Sequence, residues 1–251
     1  MATFAALTIT DALSGHGESN NPVYPQENLL PVWASLFDLG LEVLRPWPGS
    51  AIDGQTDEVT LWVKLPDGTL VEVDTWKLPG LITFPLSLKL PRQYLVAGVS
   101  QIHIEVHTDD GTMHTSERAL FTIDPRTPLD DATPDEPWVP EEITKGPGVT
   151  IGYLNAHCNV VKIEIPAYSG SQYGDTAQIF FGPPNAPKVA EVLIDPSAAS
   201  TVVALPRHLF ARDGSGVRLL HYKIVSRAGI ASQDSMAEFI RVNFAPTSNQ
   251  A

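Results

Sequence analysis

The sequence predicts an all-β chain made of two tandem β-sandwich domains. Short runs rich in Val, Ile, Thr and aromatic residues alternate with turn residues, and the 22 prolines and 18 glycines are scattered without a period. Such punctuation is typical of strands joined by tight turns. No window longer than about ten residues shows the apolar spacing of a helix. The third observation is an internal repeat, which divides the chain into two copies of one domain.

The repeat covers most of the chain. Blocks of sequence recur in the same order, which coincidence does not explain in a chain of 251 residues. The matched blocks are Pro22–Glu27 with Pro137–Glu142, Trp47–Ser50 with Tyr168–Ser171, Gly54–Val59 with Gly174–Ile179, Leu90–Arg92 with Leu205–Arg207, and Ile102–Phe121 with Leu220–Phe239. We therefore expect an N-terminal arm at 1–19, a first sandwich at 20–125, a linker at 126–136, a second sandwich at 137–245 and a tail at 246–251.

The arm at 1–19 has no counterpart in the second copy. Phe4–Thr10 is β-prone, whereas Ser14–Ser19 is polar and contains glycines. We expect the arm either to add a strand to the sheet edge of a neighbouring subunit or to be disordered.

The first hairpin shows the strand pattern most clearly. Glu58–Leu65 alternates apolar and polar residues, and Pro66–Gly68 is a turn signal before a second run at Leu70–Trp76. A turn with Gly68 as a left-handed bulge predicts the cross-strand pairs Val63 with Val71 and Leu61 with Val73. Further hairpins are expected at Asp110–Gly111, as a two-residue turn, and at Ala228–Gly229.

About seven short strands per copy are most simply buried as two packed sheets, the architecture of immunoglobulin-like domains. Neither copy has the Cys, Trp and Cys spacing of antibody domains, and a jelly roll or another sandwich remains the alternative. The stretch Asp124–Glu142 is rich in proline and acidic side chains, which predicts that the linker at 126–136 is extended and solvated. The linker lacks the carboxylate spacing of a calcium loop.

Charge and leader signals restrict the partners and the location. The chain carries 16 basic and 29 acidic side chains, a net charge of −13, so neither nucleic acid nor an anionic membrane is an expected partner. The N-terminus lacks the pattern of a cleaved secretory leader, and no run is long and apolar enough to span a membrane. Cys158 is the single cysteine, so an internal disulfide cannot form, and we expect a buried structural thiol.

Candidate catalytic and metal sites are weak. A two-residue turn at Asp110–Gly111 would place His107 opposite His114, but a zinc site needs three or four ligands, and we favour a solvated polar face. The glycine-flanked serines lack a nucleophile elbow, and acidic pairs such as Asp109–Asp110 and Asp130–Asp131 are more simply read as solvated turns than as a glycosidase pair. We therefore expect no enzyme activity, no metal and no cofactor.

The tryptophans provide the candidate contact residues. In the predicted register, Trp62 and Trp76 both project from the polar face of the first hairpin, where they can stack on sugar rings or anchor a protein. The alternative is that another domain, the arm or a neighbouring subunit covers these two tryptophans. Trp47 and Tyr168 occupy matched turn positions and are expected to fill the two cores.

Four blocks of the second copy resemble a repeat of large bacterial proteins. These are Ile165–Gly170, Gly174–Phe181, Val203–Arg207 and Leu220–Val225. They resemble immunoglobulin-like repeat domains of pseudomonad surface or secreted proteins, and a tandem pair also resembles bacteriophage virion proteins with such domains. The first copy departs from the pattern, since Gln55 stands where Asp175 stands in the second. The resemblance implies a non-catalytic building block and carries over no site residue.

These observations favour a structural, assembly or adhesion module at a virion or a bacterial surface. Its expected partner is a protein, either other copies or a larger scaffold. The alternative is a carbohydrate-binding module that uses Trp62 and Trp76 on a cell-surface glycan. An enzyme with residues from both domains ranks third.

Overall fold

A computed structural model describes residues 2–15, 24–212 and 214–244 of the chain. The chain divides into two compact units, residues 1–125 and 126–251. Within the described ranges, no helix is long and apolar enough to cross a membrane.

The first unit is a β-sandwich. The strands are β1 (Ala2–Phe4), β2 (Thr8–Ile9), β3 (Leu39–Val43), β4 (Thr56–Lys64), β5 (Leu70–Pro79), β6 (Leu86–Leu90), β7 (Gly98–His107), β8 (Met113–Ser116) and β9 (Ala119–Ile123). One sheet has the order β1-β8-β7-β4-β5, with β9 also paired to β7, and the other has the order β2-β3-β6. Short 3₁₀ turns lie at Ala34–Leu36 and Arg92–Tyr94.

The second unit repeats this plan with fewer strands. The strands are β10 (Val149–Thr150), β11 (Val160–Pro166), β12 (Thr176–Gly182), β13 (Lys188–Leu193), β14 (Ser200–Pro206), β15 (Gly216–Val225) and β16 (Glu238–Asn243). One sheet has the order β10-β16-β15-β12-β13, and β11 pairs with β14 in the other. The helical segments are a 3₁₀ turn at Pro128–Asp131, α1 (Glu141–Thr144), α2 (Ile151–Ala156) and α3 (Arg207–Ala211).

Each unit buries the inward residues of its two sheets against each other. In the first unit, alternate residues of β4 such as Leu61 pack with β3 and β6 residues such as Leu41 and Leu90. In the second, Ile179 of β12 packs with Ile163 and Leu205 of β11 and β14. Burial of each large apolar side chain contributes about 1.5–3 kcal/mol. The predicted fold class, two tandem immunoglobulin-like β-sandwiches, is confirmed.

Structural equivalence refines the sequence match between the copies. Leu61 pairs with Ile104, and Ile179 pairs with Tyr222, in the same sheet position of their units. This register makes Asp57 the equivalent of Asp175, both of them buried. The sequence match through Gly54–Val59 was therefore displaced by two residues, and the apparent substitution of Asp175 by Gln55 does not exist.

In the last strands of the two units, the sequence match was displaced by one residue. Ile102 pairs with Ala119 of β9, and its equivalent Leu220 pairs with Glu238 of β16. Buried Phe121 is thus equivalent to Ile240, and Phe239, which the sequence matched to Phe121, is 66% exposed.

Three hairpins in the two units use one turn type. Leu65 N donates to Thr69 O and Gly68 N to Leu65 O, and the pattern recurs at Thr108–Thr112 and Ser226–Ile230. Gly68 has φ +89°, as the left-handed position requires. The predicted bulge at Gly68 and the pair Val63 with Val71 are therefore observed, whereas the two-residue turn predicted at Asp110–Gly111 is wrong.

Two segments predicted as peripheral belong to the sandwiches. In the arm at 1–19, β1 pairs with β8 and β2 pairs with β3 of the same unit, so the prediction of a free arm is wrong for residues 2–9. Residues 16–19 of the arm and the predicted tail 246–251 lie outside the described residues.

The predicted linker 126–136 is also not an extended, solvated connector. Leu129 packs against the core of the second unit, and Met236 N donates to Pro134 O at 2.9 Å. The Arg126 guanidinium donates to Gly170 O at 3.0 Å. These contacts anchor the proline-rich segment to the second unit because its backbone groups find partners there.

Candidate functional site

Trp62 lies on the outer face of the first unit, as its alternate position in β4 requires. Leu61 and Val63 on either side of it are buried, whereas the Trp62 side chain is partly exposed. Trp62 is directly opposite His103 on one neighbouring strand and Glu72 on the other. Its Nε1 is buried without a hydrogen-bond partner among the described residues.

Trp76 does not share this face with Trp62. The β4–β5 register shifts between Leu61 and Trp62, so Leu61 pairs with Asp74, and Val73 is the extra residue of a bulge. Trp76 consequently pairs with buried Val59 and packs against the core of the first unit. The prediction that Trp62 and Trp76 project together is therefore wrong, because the bulge reverses the alternation of β5.

A cluster of basic side chains surrounds a hollow beside Trp62, on the outer face of the first unit. Arg118 Nη1 donates to Gln101 Oε1 at 3.3 Å. The hollow has a volume of about 250 Å³. We call it the cationic hollow, and its lining residues are Lys64, Gly68, Leu70, Gln101, His103 and Arg118.

His103 is the most buried side chain of the cationic hollow. It is 7% exposed, and burial lowers its pKa from the ordinary value of 6.5, while Glu105 opposes that shift and Arg118 adds to it. Glu105 Oε1 lies 4.0 Å from His103 Nε2. His103 is therefore mainly neutral near pH 7 and presents a neutral hydrogen-bonding ring.

The second unit carries an equivalent aromatic–histidine pair. Phe180 is directly opposite His221, and their rings stack with centroids 5.1 Å apart. Burial lowers the pKa of His221, although Asp234, whose Oδ1 is 3.5 Å from His221 Nε2, acts in the other direction.

The neighbouring hollow of the second unit is more apolar and larger, about 690 Å³. We call it the apolar hollow. Val217 and Phe239 in its lining are 56% and 66% exposed. Its walls are Gly182–Pro187, Arg212, Val217–Leu219 and Phe239.

A third concave region surrounds Cys158. Contrary to the prediction of a buried thiol, Cys158 is exposed and has φ +54° after α2. His157 stacks on Tyr153 at 4.0 Å, and its Nε2 is 3.7 Å from Glu142 Oε2. The hollow has a volume of about 640 Å³, but none of its described lining residues is shown to form a hydrogen bond with the Cys158 thiol.

The predicted histidine pair does not form. His107 is opposite Met113, and His114 is opposite Val106, so the two imidazoles lie on opposite faces of the sheet. The cause is the longer turn at Thr108–Thr112, which shifts the register by one residue. Over the ranges that the structure describes, no group of three His, Cys, Asp or Glu side chains could hold a metal ion.

The acidic pair Asp109–Asp110 stabilises a turn. Asp110 accepts hydrogen bonds from Thr108 Oγ1 at 2.7 Å and Thr112 N at 2.9 Å, and the Thr108 bond is the main cause of its lowered pKa. Asp109 Oδ1 accepts from Thr56 N at 3.1 Å. Both carboxylates therefore have a structural explanation.

The residue patterns of β4 and β7 indicate part of the cationic hollow. Trp62 and Lys64 share one face of β4, and Gln101 and His103 share one face of β7, because each pair is two residues apart. The β4–β7 pairing then places all four on the same face of the sheet. Arg118 immediately precedes β9, next to the same strand. The two-residue turn predicted at Asp110–Gly111 places Arg118 opposite His103, and the observed β7–β9 pairs, such as Ile102 with Ala119, have that same register.

Comparisons with known structures find similar tandem domains. The chain is 12% identical to the fibronectin(III)-like modules of Clostridium thermocellum CbhA, covering 98% of each chain with a TM-score of 0.47. It is 15% identical to a two fibronectin type-III domain segment from chicken tenascin, covering 82% of this chain and 92% of that one with a TM-score of 0.26. A tetra-tandem repeat from the extending region of a large adhesion protein is 10% identical, with 95% and 48% covered and a TM-score of 0.31. These similarities concern the fold.

No protein-family model matches the sequence, and the comparison with curated proteins finds no match.

Proposed function

We propose that this chain is a non-catalytic structural or adhesion module that docks onto a larger scaffold, either a virion or a bacterial surface structure. The observation that carries the proposal is the apolar hollow of the second unit, with Val217 and Phe239 exposed on the outer sheet face. Exposed apolar patches of this kind mark protein contacts in soluble proteins.

The two outer faces differ although the framework is shared. Leu219 and Phe239 are cross-strand neighbours in the second unit, and Gln101 and Leu120 are neighbours at the equivalent place in the first. Phe239 is much more exposed than its neighbour Ile240, which is buried in the core. The fold therefore does not need an aromatic ring at Phe239, whereas a docking contact does.

The test is binding of the purified chain to isolated virions and to cell-envelope fractions of its source, measured by co-sedimentation. Phe239→Ser should weaken binding at least 10-fold, as expected for loss of a central aromatic contact. Val202→Ser is the matched control, because Val202 is 55% exposed on β14 of the other sheet. A monomer by native mass measurement that binds neither fraction would contradict the proposal.

A carbohydrate-binding module is the second candidate, and the outward position of Trp62 favours it. Trp76 packs inward, so Trp62 would be the stacking residue. A glycan array read with wild type and Trp62→Ala tests this function. Equal binding by both proteins, or no binding by either, would remove it.

A further inference from the structure

The cationic hollow concentrates positive charge on a strongly acidic protein. The chain has 29 acidic and 16 basic side chains, yet Lys64 and Arg118 line one hollow together with no acidic side chain in the lining. Among the described residues neither forms an ion pair, and the Arg118 guanidinium contacts the neutral amide of Gln101. Two cations without carboxylate partners therefore face the same small volume.

The framework itself does not require these cations. The structural register makes Gly182 the equivalent of Lys64 and Leu219 the equivalent of Gln101. Ser116 and Ser235 make the same backbone bonds in the two units, which makes Ala237 the equivalent of Arg118. The second unit forms the same sheet with none of these polar side chains, so their presence in the first unit needs another explanation.

Strand pairing explains how the residues converge. Lys64 is directly opposite Gln101, and Trp62 is directly opposite His103, so alternate residues of β4 and β7 meet on one face. Arg118 approaches from the other side of β7, where its bond to Gln101 orients the guanidinium. Leu70, which is 54% exposed, provides an apolar wall.

We propose that the cationic hollow binds the carboxylate of an acidic sugar, a hexuronate residue of a polysaccharide. The carboxylate accepts hydrogen bonds from Arg118 and Lys64, a ring hydroxyl bonds to His103, and the sugar ring lies towards Trp62 and Leu70. Arginine forms strong, directional bonds with carboxylates, and aromatic rings pack on sugar faces. This inference rests on the glycan-binding candidate and deepens it, and it is independent of docking through the apolar hollow.

The dimensions favour one sugar ring over an extended peptide. A volume of about 250 Å³ is below the range of roughly 300–1,000 Å³ usual for drug-sized ligands, so it holds a single small group. Arg118 and Lys64 can both donate to the two oxygens of one carboxylate, and the remaining contacts are left to neutral groups, His103 and Gln101. A protein carboxylate would use the cations but leave the aromatic and hydroxyl-binding groups without a role.

The experiment uses the full chain and oligogalacturonate as the probe. Heteronuclear NMR should show saturable shifts of the Trp62 indole N–H and of β4 and β7 amides. The methyl-esterified oligomer is the matched ligand because it keeps the sugar and loses the charge. Its binding should be at least 10-fold weaker, since the ester cannot form charge-assisted hydrogen bonds with Arg118 and Lys64.

Variants separate the site from general electrostatics. Arg118→Gln and Lys64→Gln should each weaken binding about 10-fold or more. Lys89→Gln makes the same charge change on exposed β6 of the other sheet and should leave the affinity within about twofold. Thermal unfolding of each variant verifies that the first unit remains folded.

Three results would overturn the inference: equal binding of the methyl ester, equal weakening by Lys89→Gln, or equal binding of an oligoglutamate peptide at the same residues. Neutral-glycan binding through Trp62 without any uronate preference would overturn the acidic-sugar assignment and retain the glycan-binding function. If neither neutral glycans nor oligogalacturonate bind, the glycan-binding function is removed as well. Docking through Phe239 is measured in a separate experiment and is unaffected by that result.

Discussion

The indole Nε1 of Trp47 donates a 2.8 Å hydrogen bond to Oδ2 of Asp57, and both side chains are buried in the first unit. The second unit repeats this contact with different chemistry: Tyr168 Oη donates to Asp175 Oδ2 at 2.7 Å. In each unit a buried carboxylate fixes an aromatic side chain and a loop at the beginning of a core strand. The predicted role of Trp47 as a core residue agrees with its 2% exposure.

Asp57→Asn should destabilise the first unit by about 2–4 kcal/mol. Asp57 accepts from Trp47 Nε1, Ala51 N and Asp109 N, and an amide cannot accept all three bonds. Urea unfolding followed by tryptophan fluorescence measures the loss. Asp53→Asn in the exposed part of the same loop is the control and should change stability by about 0.5 kcal/mol or less. Equal urea midpoints for Asp57→Asn and Asp53→Asn would contradict the stabilising role of the Asp57 carboxylate.

Ser116→Ala and Ser235→Ala should each cost about 1–3 kcal/mol in their own unit. Ser116 Oγ accepts from Ile104 N, and Ser235 Oγ accepts from Tyr222 N, in both cases at 3.0 Å. Alanine leaves a buried backbone N–H without a partner. Hydrogen exchange of the Ile104 and Tyr222 amides should accelerate. Ser87→Ala on the exposed face of β6 is the matched control, and equal protection in all variants would refute the expectation.

Gly148→Ala should destabilise the second unit by more than about 3 kcal/mol. Gly148 has φ +87°, and an added Cβ would lie 2.2 Å from Arg241 O, where β10 approaches β16. Gly170 has φ +78° with open space around it, so Gly170→Ala measures the backbone strain alone, about 1–2 kcal/mol. Equal losses of stability for Gly148→Ala and Gly170→Ala in chemical denaturation would show that β10 and β16 move apart at little cost in free energy.

The second unit should lose stability above about pH 10. Burial and the bond to Asp175 raise the pKa of Tyr168, and burial with the nearby Asp135 and Glu136 raises the pKa of Tyr222. Because the folded pKa values exceed the unfolded value, this contribution is complete below pH 10 and declines as pH rises. The limiting slope is about 1.4 kcal/mol per pH unit for each tyrosine.

This decline is measured as the urea midpoint of the second unit between pH 8 and 11, with hydrogen exchange of β12 amides as the probe of its unfolding. Tyr168→Phe should lower the midpoint at pH 8 and make the alkaline decline shallower. Tyr173→Phe alters an exposed ring and should leave the curve unchanged. A Tyr168→Phe curve parallel to wild type would count against the coupling.

Local sequence patterns predicted the strands and some of their pairing. The alternation in β4 and the turn at Gly68 were sufficient for the pair Val63 with Val71, because both depend on neighbouring residues and backbone sterics. One bulge beyond that pair was sufficient to turn Trp76 inward. The orientation of Trp62 was predictable from its own strand, whereas the orientation of Trp76 was not.

The sequence by itself determined the all-β class, the duplication and the face of β4 on which Trp62 and Lys64 lie, since these follow from residue alternation and local turn chemistry. Tertiary structure decided that residues 2–9 pair within the first unit, that Asp57 corresponds to Asp175, and that β4 pairs with β7, which brings Lys64 to His103 and Arg118 in the cationic hollow. The physical reason is that strand partners and bulges are selected by packing between residues far apart in the chain. The free energy of this packing depends on the whole core and is not encoded in any short window of sequence.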